Sequence, residues 1–488
     1  MEGWWSIMRA SYLLLDEPWI PVVDLTGGKK LLGIRALLEQ AHLLREISDP
    51  SPLVEYGLYR LLVVFLMDAL RPQGEDELED LLDAKRFDMR AIDRYIALCR
   101  NEGVTFDLFD RDRPFLQTPF SEMWDKQAKP VSALDYTVPN GNNHTHFDHR
   151  NNEEITFSYA QAAKLLPAAQ LFCTAGVQGY PSGVNGAPPY FIIIQGQNLF
   201  ETLIYSLLVR DDIRIEFDDP PVIWRSCILV EPKKSVVQTS WLYGMLFPAR
   251  RVLLIPDETC SVVRQVYISQ GMNYTATDIW TDPHIAYRIS DKGRFPWRPN
   301  REKAIWRSLG ELTAPNQVPQ IVRQYKGYMA PSGSGLLHLL LYGAQTDQAS
   351  YIAAMRHDLR LPTAIIENPE ASELIRNAIA WAEKLAGALQ KAMTHPDIPS
   401  PTVSQAVLDY YDRCGETLMA MCDTKLMEDG ADLGTLYQDW IDQTSQYAID
   451  ALDKAMQTVL LRGKSLMEVT RRHGILFAEI KKKKEANQ

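Results

Sequence analysis

Long apolar runs are missing from this chain of 488 residues. It contains no stretch of about 18 consecutive apolar residues, the length at which a segment becomes a candidate for crossing a bilayer as a helix. The N-terminal segment also lacks the basic region, apolar core and cleavage site of a secretory signal peptide. These absences predict a cytoplasmic protein that makes no contact with a membrane.

Closely spaced cysteine pairs are missing too, because none of the six cysteines belongs to a C-x-x-C motif. Zinc knuckles and thioredoxin-like redox sites need that spacing, so neither is indicated. We expect reduced and mostly buried thiols, as is usual for cysteine in the cytoplasm. The chain is predicted to hold no metal ion and no other cofactor.

An excess of positive charge is a third absence. The chain carries 51 Lys and Arg against 62 Asp and Glu, which gives a net charge of -11. Proteins that bind nucleic acid on their own draw much of their affinity from neutralising phosphates. Any contact with nucleic acid is therefore expected to be local, with other subunits supplying positive charge.

Signatures of catalysis are absent as well, since the sequence has no H-E-x-x-H, G-x-S-x-G or kinase motif. Residues 144–149 (HTHFDH) collect metal-binding side chains, but ligands so close together in one loop rarely complete a site. Arg356-His357-Asp358 is interpreted as part of a helix, where adjacent side chains diverge, which favours a structural salt bridge over a catalytic pair. We predict no catalytic residue; a hydrolase that uses the 144–149 loop stays open as an alternative.

Among the features that are present, the stretch from Cys173 to Gly196 is the most distinctive, CTAGVQGYPSGVNGAPPYFIIIQG. Its glycines allow another backbone to approach closely, and its prolines stiffen the turns between them. The run Tyr190–Ile194 predicts a buried strand that anchors this loop. Such a loop suits binding a polymer backbone or a phosphate, and an irregular surface connection would explain it equally well. The phosphate-binding pattern G-x-x-x-x-G-K-[ST] does not occur.

The chain changes character after residue 366. Residues 1–366 mix strand-like and helical patterns, whereas residues 367–488 show four long helical patterns separated by breakers, which predict an antiparallel bundle. The predicted fold class is α+β, with a large mixed N-terminal domain (1–366) followed by an all-α four-helix bundle (367–488). Helices are predicted at residues 31–42, 52–70, 75–82, 89–101, 157–171, 199–209, 369–394, 402–427, 433–461 and 465–484.

Five segments, each a weak signal alone, occur in a fixed order along the chain: LLLDEPWIPV (13–22), RPFLQ (113–117), GNN with FDH (141–143 and 147–149), SGVNGAP (182–188), and DQAS (347–350) followed by RHD (356–358). In this order, and followed by four helices, they resemble a known family. That family is CasA, the large subunit of the type I-E CRISPR surveillance complexes called Cascade.

The resemblance implies a non-catalytic subunit that recognises the protospacer-adjacent motif (PAM) in double-stranded target DNA and then opens the duplex locally. It also implies contacts with guide RNA and with the backbone, small and guide-end subunits of Cascade, and recruitment of the helicase-nuclease that degrades the target. In such complexes the protein recognises only the short sequence that flanks the target, and base pairing with the guide RNA recognises the target itself. A purely structural subunit of the same complex stays open as an alternative.

The resemblance also assigns site residues. Gln348 matches the glutamine wedge of the family, which inserts beside the PAM, and Asp347 and Ala349 flank it. Some members carry Asn where this chain has Asp347, and a carboxylate is favourable there only if it accepts from a base amino group such as guanine N2. Gln178 and Gly179 match a glycine loop that lies along the PAM minor groove.

The resemblance implies two further segments that contact nucleic acid. Asn142, Asn143 and Phe147 resemble a loop that reaches the guide-RNA end of the complex and the PAM region. In some members a lysine reaches the minor groove from a strand at the position of residues 271–273, whereas this chain has Gly-Met-Asn and no lysine there, so Asn273 is the candidate contact. Some members have a cysteine-rich zinc site, and because only Cys260 lies nearby we expect no zinc.

Overall fold

The computed structural model describes residues 10–122, 127–138, 155–176, 179–276, 280–314, 317–326, 335–347, 350–394, 398–424, 426, 430–461 and 466–486. Its helices are α1 (Ile34–Gln40), α2 (Pro52–Leu70), α3 (Glu75–Asp83), α4 (Met89–Asn101), α5 (Tyr159–Leu171), α6 (Leu199–Tyr205), α7 (Trp241–Met245), α8 (Leu309–Thr313), α9 (Gln320–Gln324), α10 (Ala364–Glu367), α11 (Pro369–Met393), α12 (Ser400–Asp423), α13 (Leu433–Leu461) and α14 (Leu466–Ala486). The strands are β1 (Ile20–Asp24), β2 (Lys29–Leu32), β3 (Leu44–Ile47), β4 (Lys129–Pro130), β5 (Phe191–Ile194), β6 (Ser235–Val236), β7 (Arg250–Pro256), β8 (Val263–Gln270), β9 (Asn273–Tyr274), β10 (Tyr287–Ser290), β11 (Gly293–Pro296), β12 (Leu336–Asp347) and β13 (Ser350–Pro362).

Helix α2 lies at the centre of the mixed part of the fold. Every residue from Leu53 to Asp68 is buried, which is typical of a helix surrounded by core on all sides. Its Arg60 pairs with Asp282 at 2.7 Å with both side chains shielded from solvent, so the buried charge is compensated. The Tyr56 hydroxyl lies 3.1 Å from His284 Nδ1, and burial lowers the pKa of His284 to about 3, which keeps this imidazole neutral.

The strands form small sheets, and β3, β5 and β12 contact this helix. The strand orders are β2-β1-β3, β13-β12-β5 and β4-β8-β7, and there are two-stranded ribbons β10-β11 and β6-β9. The predicted strand at Tyr190–Ile194 is confirmed as β5, whose four residues are all buried. It pairs antiparallel with β12, from Leu339 opposite Ile194 to Tyr342 opposite Phe191. The glycine-rich stretch therefore leads directly into the sheet that carries Asp347.

The segment that contains Arg356-His357-Asp358 forms strand β13, so the helix assumed for it is wrong. Its sequence, YIAAMRHDLR, contains few β-branched residues, and pairing with β12 decides its conformation, as tertiary context often does. The structural salt bridges favoured for these residues are present. Arg356 pairs with Glu46 at 2.9 Å, and Asp358 contacts His338 at 2.5 Å.

A buried carboxylate in α2 makes stability depend on pH. Glu55 is 1% exposed, and burial raises the pKa of its carboxyl from 4.5 to about 7, although the Tyr342 hydroxyl donates to it. The folded protein binds this proton more tightly than the unfolded chain does. The stability that the group contributes is therefore fully present below its unfolded pKa and lost as the pH rises through about 7.

The substitution Glu55→Gln keeps the acceptor for Tyr342 and cannot ionise. We expect it to raise the thermal midpoint relative to wild type at about pH 8 and to change it little at about pH 5, with a difference of up to about 3 kcal/mol in the free energy of unfolding. Thermal unfolding at both pH values measures this. The exposed Glu39→Gln serves as the control, and an equal effect of Glu55→Gln at both pH values would contradict the prediction.

Helix α6 ends earlier than predicted, at Tyr205 rather than Val209. Long-range hydrogen bonds replace the last helical turn. The amide side chain of Gln324 donates to Leu207 O at 2.7 Å and accepts from Val209 N at 2.9 Å. No local sequence signal marks this exchange, because Gln324 follows more than a hundred residues later.

The chain divides into two compact units, of which the first holds the described residues within 1–301, 319–331 and 338–359, and the second those within 302–318, 332–337 and 360–488. In the second unit α11, α12, α13 and α14 confirm the predicted C-terminal helices, with bounds within four residues of those expected. Trp440 Nε1 donates to Ala378 O at 3.0 Å, and Trp381 Nε1 donates to Thr444 Oγ1 at 3.2 Å, which fixes α13 against α11.

Candidate nucleic-acid interface

The glycine-rich stretch forms two tight turns in the first unit. Gly176 and Tyr180 form an antiparallel bridge, and Gly179 N donates to Gly176 O at 3.2 Å. Gly179 has a φ of +68°, a left-handed conformation that favours glycine. Gly183 and Gly186 form the second bridge. The first turn leaves Gly179 exposed, so its backbone is accessible to a large partner.

A buried arginine at the start of β7 holds the ends of the first turn. The Arg250 guanidinium is 6% exposed and donates to Thr174 O at 2.6 Å and to Pro181 O. It also lies over the ring of Tyr180, 4.8 Å from the centroid. One side chain thus binds the backbone on both sides of the turn, which restricts its conformations.

Lys233 lies beside the turn, in the connection that leads to β6. A Cβ atom built on Gly179 would be 3.1 Å from the ammonium nitrogen of Lys233 and 3.9 Å from Gln270 Nε2. The Lys233 backbone has a φ of +58°, and its N–H donates to Gly271 O at 2.8 Å. Residues 271–273 contain no lysine, and a different segment of the chain supplies the ammonium group beside Gly179.

Asn273 also belongs to this neighbourhood. It opens β9, which pairs in parallel with β6 so that Ser235 is opposite Asn273. Its neighbour Gly271 is packed so closely that a Cβ there would be 2.2 Å from Pro248 O, which explains glycine at this position. Residues on either side of the turn and of Lys233, together with a residue of β9, contribute to one apolar cluster. It is made of Cys173, Tyr243, Phe247, Ala249 and Met272, with the partly buried Tyr136, Val184, Val230, Val236 and Tyr274 packed against it.

Positive charge is concentrated at the turn. The Lys129 ammonium lies 3.4 Å from the Tyr180 hydroxyl and 5.6 Å from the ring centroid. Together with Lys233 and Arg250 it places three cations next to residues 174–181 of a chain whose net charge is -11. This arrangement gives a local attraction for anions, in agreement with the expectation that any contact with nucleic acid is local.

The hairpin of β12 and β13 holds the remaining described site residue, Asp347. Asp347 is exposed and ends β12, and Ser350 begins β13. The strand continues five residues beyond Tyr342, its last pair with β5. Tyr351, the second residue of β13, stacks on Tyr136 and donates a hydrogen bond to Phe172 O. The hairpin is therefore bonded, close to its turn, to Phe172, which immediately precedes the glycine-rich stretch.

Of the site residues predicted from the sequence, the structure places Gly179 beside Lys233, binds Asn273 N to Lys234 O, and places Asp347 on the hairpin. The other predicted residues lie outside the described part of the chain: Asn142, Asn143, Phe147, Gln178, Gln348 and Ala349. Sequence inspection missed Lys233, Arg250 and Tyr351. Only Tyr351 carried a local signal, its position three residues after Gln348.

The alternative sites gain no support from the residues that the structure describes. Among them, no group of three or more His, Cys, Asp or Glu side chains could hold a metal ion, and the 144–149 loop is not among them. All six cysteines are free, and four are buried, as predicted: Cys99, Cys173, Cys414 and Cys422. No helix in the described ranges combines the length and apolar character needed to span a membrane.

The fold and the site together define an α+β protein with a C-terminal helical unit and a candidate polyanion-binding surface. The chain belongs to the family of the CRISPR-associated protein Cse1, whose model matches residues 14–451. A curated relative, CRISPR-associated protein CasA/Cse1 from Thermus thermophilus, is 32% identical over 400 residues, which cover 77% of this chain and 76% of the relative. The resemblance to CasA drawn from the sequence is thereby confirmed.

Solved structures show the same fold. The crystal structure of Thermus thermophilus CasA is 23% identical with a TM-score of 0.75, and the match covers 96% of this chain and 99% of that one. Thermobifida fusca Cse1 is 20% identical with a TM-score of 0.78 over 97% of this chain and 98% of that one. A chain in a structure described as a CRISPR RNA-guided surveillance complex is 19% identical with a TM-score of 0.79, covering 96% and 100%. These matches confirm the predicted fold class.

Proposed function

We propose that this chain is the large, non-catalytic subunit of a type I-E CRISPR RNA-guided surveillance complex in the cytoplasm. It recognises the PAM in the minor groove of double-stranded target DNA and wedges the duplex open so that guide pairing begins. It contacts the guide RNA and the backbone, small and guide-end subunits, and it helps to recruit the helicase-nuclease. Membership of the Cse1 family supports this assignment, as does the shared fold with a chain of a surveillance complex.

The observation that carries the proposal is the exposed turn at Gly179 with the Lys233 ammonium beside it. A residue without Cβ lets the peptide backbone enter a narrow groove, where a side chain would hold the two surfaces apart. The neighbouring ammonium neutralises a phosphate at the groove edge and releases a counterion, which favours binding. Lys129 adds a second charge next to Tyr180, 5.6 Å from its ring centroid.

The hairpin supplies the wedge. Gln348 follows Asp347, the last residue of β12, so a strand that is paired with β5 over four residues supports the inserting side chain. Unstacking a base step costs about a few kcal/mol, and this cost is offset by contacts that form with the bent and opened duplex. Asp347 accepts a hydrogen bond from a base amino group in the minor groove, such as guanine N2.

This mode of recognition predicts tolerance for several PAM sequences. A protein that reads the minor groove distinguishes A·T from G·C pairs better than A·T from T·A. Flanks that differ only by exchange of A·T for T·A therefore present nearly the same hydrogen-bonding groups. We expect a library of randomised flanks, bound by the reconstituted complex, to be enriched for several PAMs. The same library bound by the complex without this chain should show no preference among flanks.

Either of two results would contradict the proposal. A single accepted PAM with full discrimination at each position would indicate readout in the major groove. An unchanged flank preference without the chain would show that another subunit recognises the PAM, which is the result expected for a purely structural subunit.

A further inference from the structure

We propose that Arg250, Tyr136 and Tyr351 form a positioning unit that fixes the Gly179 turn and the β12–β13 hairpin in one arrangement, so that PAM recognition and strand opening are energetically coupled. The inference rests on the proposed function, since it concerns the two elements that contact DNA there. None of the three residues needs to touch DNA for this role. They act through the backbone of the glycine-rich stretch.

The first half of the unit is the arginine. Arg250 donates to Thr174 O and Pro181 O, the two backbone positions that bracket the turn, and to its own neighbour Ala249 O at 2.9 Å. Its backbone is held in turn by Gln170, whose amide donates to Arg250 O at 2.8 Å and accepts from Arg250 N at 3.0 Å. The turn is thereby fixed to β7 and to helix α5.

The contacts of this arginine also set it apart from Arg60, the buried cation of helix α2. Arg60 is neutralised by Asp282, whereas Arg250 donates to carbonyl oxygens and to the Tyr136 hydroxyl, which are all uncharged at neutral pH. A buried charge without a carboxylate beside it is unfavourable for folding. Proteins accept such unfavourable features at functional sites and compensate for them elsewhere.

The second half of the unit is a pair of tyrosines. The rings of Tyr136 and Tyr351 are stacked, with centroids 4.8 Å apart and planes 7° from parallel. The Tyr351 hydroxyl donates to Phe172 O, and the Tyr136 hydroxyl donates to Ala169 O at 2.9 Å. Burial raises the pKa of both phenols, so both remain hydrogen-bond donors at neutral pH.

The two halves of the unit bind backbone carbonyl groups that are only two residues apart. Phe172, which accepts from Tyr351, precedes Thr174, which accepts from Arg250, by two positions. Cys173 between them is buried in the apolar cluster that Tyr136 also contacts. Tyr351 itself follows Gln348 by three positions. A displacement of the hairpin therefore strains the same short backbone segment that holds the Gly179 turn.

A double-mutant cycle in the reconstituted complex tests the proposal. Gly179→Ala alters the turn and Gln348→Ala alters the hairpin, and the readout is the rate of PAM duplex opening, followed by 2-aminopurine fluorescence at the first target position. We expect the effect of the double variant to differ from the product of the single effects by about threefold or more. In the Tyr351→Phe background, which loses only the hydroxyl, the effects should become multiplicative.

Tyr12→Phe is the matched control, because Tyr12 also donates from a partly buried hydroxyl to a backbone carbonyl, that of Pro18 at 3.0 Å. It should leave the non-additivity unchanged, and thermal unfolding should show both Tyr→Phe chains folded. Multiplicative effects in the wild-type background, or non-additivity that survives Tyr351→Phe, would overturn the coupling. Single variants without any effect on opening would overturn the proposed function itself, and the coupling with it.

Discussion

A complex that carries Gln348→Ala should assemble normally and open a PAM-containing duplex at least about tenfold more slowly than wild type, because the inserted side chain compensates part of the unstacking of the first base step. Binding to a duplex that cannot open, for example one with cross-linked strands, should change much less. Stopped-flow fluorescence of a base analogue at the first target position measures opening, and an electrophoretic shift with the cross-linked duplex measures closed binding.

The control for this variant is Gln197→Ala, which removes another exposed glutamine of the first unit, in the connection between β5 and α6. This variant should leave both the rate of duplex opening and the binding to the cross-linked duplex unchanged. If Gln348→Ala opened the duplex as fast as wild type while removal of the whole chain abolished opening, the wedge would be wrong. The chain would then act as a structural subunit.

Replacing Lys233 with methionine should weaken closed-duplex binding by about tenfold at low salt, because the ammonium beside Gly179 is lost while the apolar stem is kept. The slope of log affinity against log salt concentration should become shallower by about 1. Since the proposed contact of Lys233 is with phosphate, duplexes with and without an accepted PAM should be affected alike. Fluorescence anisotropy across a salt series measures both quantities.

The adjacent lysine provides the matched control. Lys234 is also exposed but pairs with Glu231 at 2.6 Å, so Lys234→Met removes the same charge from a side chain that is already neutralised. We expect it to change affinity less than Lys233→Met. Equal losses for the two variants would show that only the net charge of the chain matters and that the position beside the turn has no special role.

Much of the fold follows from local sequence patterns. Helix α2 begins close to the prolines that mark its start, β5 is an apolar run between turn residues, and the C-terminal helices show apolar residues at helical spacing. In each case the signal lies within the element itself, so a single sequence is sufficient. The assumed helix around Arg356 failed for the opposite reason, since pairing with β12 determines its conformation.

The candidate site could be predicted only in part, because the contacts that complete it are long-range. Gly179 and Asp347 were assigned through family resemblance. The Lys233 ammonium reaches Gly179 from 54 positions away through a connection next to a two-residue parallel ribbon, for which no local pattern exists. Arg250 is equally inconspicuous in sequence, because it stands beside Arg251 at the start of an ordinary apolar strand.

The proposed contact with DNA is compatible with the acidity of the chain. The overall negative charge opposes non-specific binding along a duplex, while Lys129 and Lys233 provide positive charge at one place. On the proposed function, binding depends on presentation of the duplex by the rest of the complex, and the chain remains bound only where the groove pattern fits.

The most direct test of recognition through the minor groove uses base analogues that change the hydrogen-bonding groups in only one groove of an accepted PAM. Inosine for guanine removes the minor-groove amino group, 2,6-diaminopurine for adenine adds one, and 7-deazapurines change only the major groove. The account predicts that the minor-groove substitutions change duplex binding and opening by the wild-type complex, and that the 7-deaza substitutions leave both nearly unchanged. Sensitivity to the 7-deaza substitutions combined with indifference to inosine and diaminopurine would contradict recognition through the minor groove.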